Sequence, residues 1–64
     1  MENQSIISKK ITMVKKQNYL IISAYADDIE EFAESVQSMI AEGWELNGGI
    51  SSSTSILYQS LRKI

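Results

Sequence analysis

The sequence predicts a small α+β domain: an antiparallel sheet of three or four strands with one helix packed on it. Residues 19–26 (YLIISAYA) are rich in aromatic and β-branched residues and predict a strand. Residues 28–42 carry apolar residues at helical spacing and end at Gly43. Two further strand-like segments follow, which gives the order (β)βαββ. One helix covers one face of such a sheet.

The strand at residues 19–26 has two largely apolar faces. Because side chains alternate along a strand, one face carries Tyr19, Ile21, Ser23 and Tyr25. The other carries Leu20, Ile22, Ala24 and Ala26. A helix from the same chain can cover only one of them, so we expect the second face to be covered by other means.

The predicted helix has an acidic start and one apolar stripe, formed by Ile29, Phe32, Val36, Met39 and Ile40. With Asp28 as the N-cap, Glu31 stands at the third helical position, which is the spacing of a capping box. The acidic pairs at 27–28 and 30–31 also resemble the paired carboxylates of acid–base sites. Helix capping is the favoured interpretation, since acids stabilise the positive end of a helix dipole.

The C-terminal third predicts a β-hairpin. Residues 44–50 (WELNGGI) form its first strand, in which Gly48 and Gly49 indicate a bulge or a close backbone approach. Residues 51–55 (SSSTS) are expected to form a polar turn. Residues 55–63 form the second strand, with Ile56 and Tyr58 on one face and Leu57 and Leu61 on the other.

The N-terminal segment differs in charge from the rest of the chain. Residues 1–18 hold four lysines (Lys9, Lys10, Lys15 and Lys16) and one glutamate, whereas residues 19–54 hold seven acidic residues and no basic ones. We therefore divide the chain into a basic segment, 1–18, and a βαββ domain, 19–64. Residues 6–14 fit either an irregular segment or a strand. Flanking lysine pairs are typical of edge strands.

Composition narrows the possible functions. The 64 residues include no histidine and no cysteine. Disulfides are therefore excluded, a metal site would need carboxylates alone, and the usual general base is missing. We expect a protein that is not an enzyme, has no cofactor and does not span a membrane, in the cytoplasm. Because so short a chain buries little surface, we also expect self-association into a dimer or larger homo-oligomer.

One stretch resembles a known family. Residues 42–50 (EGWELNGGI) and the closing Tyr58-Gln59 resemble the small bacterial and phage proteins of the domain-of-unknown-function 1737 family. The resemblance covers residues 19–61 and implies the fold described above. The family's phage members imply a role in counter-defence against a host, by association only.

Two sets of residues are candidates for binding. If the hairpin tip lines a subunit interface, polar and aromatic side chains there form a candidate ligand site: Asn47, Ser51, Ser53, Thr54, Tyr58 and Arg62. The alternative for Ser51 and Ser53, which involves no ligand, is a solvent-exposed turn. The second set is the basic patch of Lys9, Lys10, Lys15 and Lys16, for which a solubilising edge is the favoured alternative.

Three functions are compatible with these features. The first is a homo-oligomeric protein-interaction module, whose acidic helix would steer it to a basic partner such as a host protein. The second is a sponge that sequesters a small (cyclic) nucleotide at a subunit interface. The third is a weak nucleic-acid binder, which the sequence pI of about 4.9 disfavours.

Overall fold

The computed structural model describes residues 11–63 of the chain. In order, the elements are β1 (Ile11–Lys15), β2 (Tyr19–Tyr25), α1 (Ile29–Ala41), β3 (Glu45–Leu46), β4 (Ser51–Ser53) and β5 (Ile56–Arg62). A short 3₁₀ turn, Ala26–Asp28, leads into the helix. The predicted α+β class with a helix on a small antiparallel sheet is confirmed, but the sheet has five strands.

The sheet has the order β1-β2-β5-β3, and β4 also pairs with β5. All pairings are antiparallel. The two seven-residue strands, β2 and β5, form the centre of the sheet and pair along their full length, from Tyr19 opposite Arg62 to Tyr25 opposite Ile56. Strand β1 lies at one edge of the described sheet, which is the strand alternative of the two that the sequence left open for residues 6–14. Residues 6–10 of the predicted strand, with Lys9 and Lys10, lie outside the described residues.

One face of the sheet is covered by α1. The alternation predicted for β2 holds, since Leu20, Ile22 and Ala24 are buried against the helix. The core is completed by side chains from every layer: Ile11, Phe32, Met39, Trp44 and Leu61. Burying a large aliphatic or aromatic side chain contributes about 1.5–3 kcal/mol, so this single cluster accounts for most of the fold's hydrophobic stabilisation.

The helix ends as the sequence predicted. Gly43 has a φ of +105°, which costs a residue without a Cβ little. The Gly43 amide donates to the Ile40 carbonyl, and the Trp44 amide donates back to the Met39 carbonyl, both at 3.0 Å. This pair of hydrogen bonds is a Schellman motif, and it turns Trp44 into the core. At the other end Asp28 is the N-cap, but its side chain makes no capping hydrogen bond.

The predicted strand at residues 44–50 is not continuous. Pairing with β5 stops after Leu46 and resumes at Ser51. Gly48 has a φ of +89°, so residues 47–50 leave the strand conformation and form a loop. We call it the shared loop, because its residues line two separate grooves. The prediction that 51–55 is only a polar turn is also wrong. Ser51–Ser53 form β4, and the turn is reduced to Thr54 and Ser55.

Candidate functional site

The face of the sheet opposite the helix is not covered within the described chain. It exposes a contiguous set of large apolar side chains, which we call the open face: Val14, Tyr19, Ile21, Tyr25 and Tyr58. Their positions follow from the register, which places Val14 opposite Ile21 and Tyr58 opposite Ser23 on adjacent strands. Tyr25 is the most exposed of them, at 62%. Exposed apolar patches are common at the interaction surfaces of soluble proteins.

A groove of about 500 Å³ opens within this face next to the shared loop, and we call it the polar groove because asparagine and serine side chains line part of it beside the apolar ones. It is lined by two tyrosines, one aliphatic side chain and several polar or glycine positions: Tyr19, Ile21, Asn47, Gly48, Gly49, Ser51, Tyr58 and Ser60. This volume lies within the range of ordinary small-molecule sites. Neither Gly48 nor Gly49 has a heavy atom within 4 Å of the position of a Cβ, so the backbone there is open to a ligand.

Hydrogen bonds from β5 hold the shared loop in place. The Gln59 Nε2 donates to the Gly48 carbonyl at 3.1 Å and to the Ser60 carbonyl at 2.9 Å. The Ser60 hydroxyl donates to the backbone carbonyl of Asn47, and the backbone N–H of Asn47 donates to the backbone carbonyl of Ser60, both at 2.9 Å. The loop is thus attached to β5 from both faces of the sheet. These bonds restrain Asn47 and Gly48, the first two residues of the loop.

The sequence did not predict the role of Gln59 in this arrangement. Gln59 is only 3% exposed and lies on the helix face of β5, opposite Ile22. Two features of the sequence could have indicated this role. Gln59 lies between Leu57 and Leu61 on the apolar face of a predicted strand, and the chain also contains the pair Gly48-Gly49. A buried side-chain amide needs hydrogen-bond partners, and an irregular loop supplies free carbonyls.

The structure gathers half of the predicted ligand residues. Asn47, Ser51 and Tyr58 line the polar groove. Arg62 does not line it but lies opposite Tyr19 at its end. Ser53 and Thr54 are at the tip of the β4–β5 hairpin, away from the groove. The prediction missed Tyr19, Ile21 and Ser60, which lie on the central strands and meet the loop only through the register.

The basic residues that the structure describes lie at one end of the sheet. Register places Lys15 opposite Leu20 and Leu20 opposite Leu61, so the end of β1 and the end of β5 are neighbours. Lys15 and Lys16 are therefore at the same end as Arg62 and Lys63. The Lys63 ammonium lies 4.9 Å from the centroid of the Trp44 ring, a cation–π contact that stabilises the last residues of the described chain.

Other kinds of site are not found within residues 11–63. No group of three or more histidine, cysteine, aspartate or glutamate residues is placed to hold a metal ion there. Among the helices described, none has the length and apolar character that crossing a bilayer requires.

No family model matches the chain, and neither the curated proteins nor the solved structures include a significant match. The resemblance of residues 42–50 to the domain-of-unknown-function 1737 family therefore stays a prediction. The chemistry of the described surfaces is the basis for a functional proposal.

Proposed function

We propose that this chain is a non-catalytic binding module that works as a homo-oligomer, with the open face as its self-association surface. The observation that carries the proposal is the row of exposed aromatic and aliphatic side chains on an otherwise regular sheet. Charged positions are scarce there. Glu45 and Arg62 stand opposite each other at one end of the sheet, so their charges are balanced. Two such faces meet without net repulsion.

The size of the open face is close to what a specific interface needs. Seven residues of β2 at about 3.3 Å each give a length of about 23 Å, and four strands at about 4.8 Å give a width of about 19 Å. Two copies packed face to face would bury about 900 Å² in projection, and more when the relief of the side chains is included. A specific interface buries about 1,000 Å² or more. Burial at about 25 cal/mol per Å² also supplements the limited core of so short a chain.

The proposed function does not include catalysis. The chain has no histidine and no cysteine, so it lacks the usual general base and the strongest side-chain nucleophile. The polar groove is lined by tyrosine, serine and asparagine side chains and by glycine backbone, which are groups that bind. A protein-interaction role in phage counter-defence rests on the family resemblance, and the cytoplasmic location rests on composition.

Native mass spectrometry of the protein purified gently from its natural host tests this proposal. We expect a dimer or larger species whose mass is a whole multiple of the chain. A monomer under all solution conditions would contradict self-association. Covalent labelling of tyrosines adds the position of the interface, because Tyr25 should be protected in the oligomer and reactive in a dissociated variant.

The polar groove favours one second candidate, a sponge for a small nucleotide. Tyr19 and Tyr58 supply ring faces on which a base can stack, and Asn47 and Ser51 supply hydrogen-bonding groups. Arg62, opposite Tyr19 at the end of the groove, offers a cation for a phosphate. A panel of mono-, di- and cyclic nucleotides in a thermal-shift assay tests it. A tight ligand must raise the melting temperature, and Tyr58→Ala must abolish the shift.

A weak nucleic-acid role has less support. Lys15, Lys16, Arg62 and Lys63 share one end of the sheet, but the acidic helix lies on the same small domain. A phosphate backbone would meet that acidic charge along with the basic end. Binding to single-stranded DNA at low salt that weakens as salt rises would revive this role.

A further inference from the structure

A second apolar surface lies at the side of the domain, between α1 and the shared loop. It is a groove of about 290 Å³ between the helix and the last strands of the sheet. Four of its aliphatic side chains are largely exposed, and we call the site the helix groove: Ile29, Ile40, Leu46 and Ile50. Ile50, at 59% exposed, projects from the shared loop, and Ile29 is 55% exposed.

The predicted apolar stripe of α1 is present, and it faces both the core and the helix groove. Phe32 and Met39 are buried in the core, whereas Ile29 and Ile40 turn to the groove. Ala33 and Val36 lie between those two isoleucines and extend the apolar wall. From Ile29 to Ile40 the wall is about 16 Å long at 1.5 Å per residue. That length suits a helical segment with apolar anchors at i, i+3 or i+4, and i+7, or a short extended one.

The rim of the helix groove is acidic. At about 100° per residue, Glu30 and Glu34 each lie one position on from Ile29 and Ala33, towards the solvent side of the helix, and Gln37 of the groove lining lies between them and the wall. Both acidic side chains are exposed. The helix carries no basic residue, and residues 19–54 hold no lysine or arginine at all. The charged side chains of the helix closest to the groove are therefore acidic.

We propose that the helix groove docks an apolar segment of another protein that is flanked by lysine or arginine residues. The aliphatic wall supplies the burial, and Glu30 and Glu34 select the basic flanks by charge. A second copy of this chain is a poor occupant in a two-fold arrangement, because it would bring the same acidic rim against its equivalent. The inference names the partner's chemistry for the protein-interaction part of the proposed function, on which it rests, and it does not depend on self-association.

The test is a selection of displayed random twelve-residue peptides on the full chain, after which the affinity of each enriched peptide is measured for the wild type and for Ile50→Asp. Ile50 is exposed in a loop, so its replacement should leave the fold intact, which circular dichroism checks. We expect enriched peptides with paired apolar residues at helical or alternate spacing and flanking lysine or arginine. Their affinity should fall at least about tenfold on Ile50→Asp and on Glu34→Lys, and it should weaken as salt screens the rim.

Tyr25→Ser, on the open face, is the matched control and should leave peptide affinity unchanged. The inference is overturned if no peptide is enriched, if the enriched peptides lack basic residues, or if Ile50→Asp leaves their binding unchanged. It is also overturned if Ile50→Asp alone dissociates the oligomer, since the groove would then hold a second copy. Self-association is measured separately by sedimentation, so failure of the peptide test leaves the oligomer proposal standing.

Discussion

The open face and the helix groove are both apolar and exposed, but they are built differently. The open face is a regular surface of central strands, with three tyrosines and little charge. The helix groove is formed by a helix and an irregular loop, is aliphatic, and has an acidic rim. Hydrophobic burial alone does not distinguish the two surfaces. Charge distinguishes them, because the neutral open face can pack against a second copy of itself, whereas the acidic rim of the helix groove favours a partner of opposite charge.

The shared loop connects the two surfaces. Asn47, Gly48 and Gly49 line the polar groove on the open side, and Ile50 lines the helix groove on the other. Gln59 fixes this loop from the core. Substitutions at Gln59 should therefore affect both surfaces. Substitutions at Ile21 should affect only the open face, and substitutions at Ile50 only the helix groove. This difference orders the predictions that follow.

The largest effect is expected for Gln59→Glu. The substitution keeps the shape of the side chain but replaces the donating amide with a carboxylate that faces the Gly48 and Ser60 carbonyls. A buried charge without a partner costs about 3 kcal/mol or more of unfolding free energy. Urea denaturation measures the loss. The control is Gln59→Met, which lacks both the charge and the bonds and should cost about 1–2 kcal/mol. A Gln59→Met variant as stable as the wild type would show that the amide does not hold the loop.

The next effect separates the two surfaces. Ile21→Lys places a charge in the middle of the open face and should raise the dissociation constant of the oligomer about a hundredfold, or about 2.7 kcal/mol. Ile50→Lys makes the same change in the helix groove and should leave the dissociation constant unaltered. Sedimentation equilibrium measures both variants. Dissociation by Ile50→Lys and not by Ile21→Lys would exchange the roles of the surfaces.

A smaller effect is expected in the shared loop itself. Gly48→Ala forces a residue with a Cβ to a φ of +89°, which costs about 1–2 kcal/mol even though no neighbouring atom is close. Gly49→Ala, with equally open surroundings and no positive φ, is the matched control and should change stability by less than about 0.5 kcal/mol. Thermal unfolding compares them. Equal losses would mean that backbone conformation does not determine the break between β3 and β4.

The smallest effect lies outside both surfaces, at the β4–β5 turn. Thr54 is the one non-glycine residue with a positive φ among those described, at +54°. Asparagine tolerates this conformation better than a β-branched residue does, so Thr54→Asn should stabilise the fold by about 0.5–1 kcal/mol. Self-association and peptide binding should stay unchanged. A loss of stability on chemical denaturation would indicate that the threonine side chain has a role of its own.

The sequence predicted the elements that depend on local patterns. The alternation in β2 separated Leu20 and Ile22 from Tyr19 and Ile21, and a single glycine marked the end of α1. These signals act over a few residues, so they can be read without knowing what packs against them.

The parts that were missed depend on distant partners. Three consecutive serines have low strand propensity, yet Ser51–Ser53 form β4 because β5 offers a paired edge. Gln59 is buried because the Gly48 carbonyl, eleven residues away, accepts its amide. The polar groove was half predicted for the same reason: Asn47, Ser51 and Tyr58 carried local signals, whereas Tyr19 and Ser60 reach it only through strand register.

Sedimentation velocity of the wild-type protein over a dilution series tests the central claim most directly. If a second copy covers the open face, we expect a dimer or larger species at micromolar concentration. This species should dissociate on dilution, and it should be absent in Ile21→Lys. A monomer at every concentration that still unfolds cooperatively would contradict the account. It would show that the small core and its bare aromatic face are stable in water without a second copy.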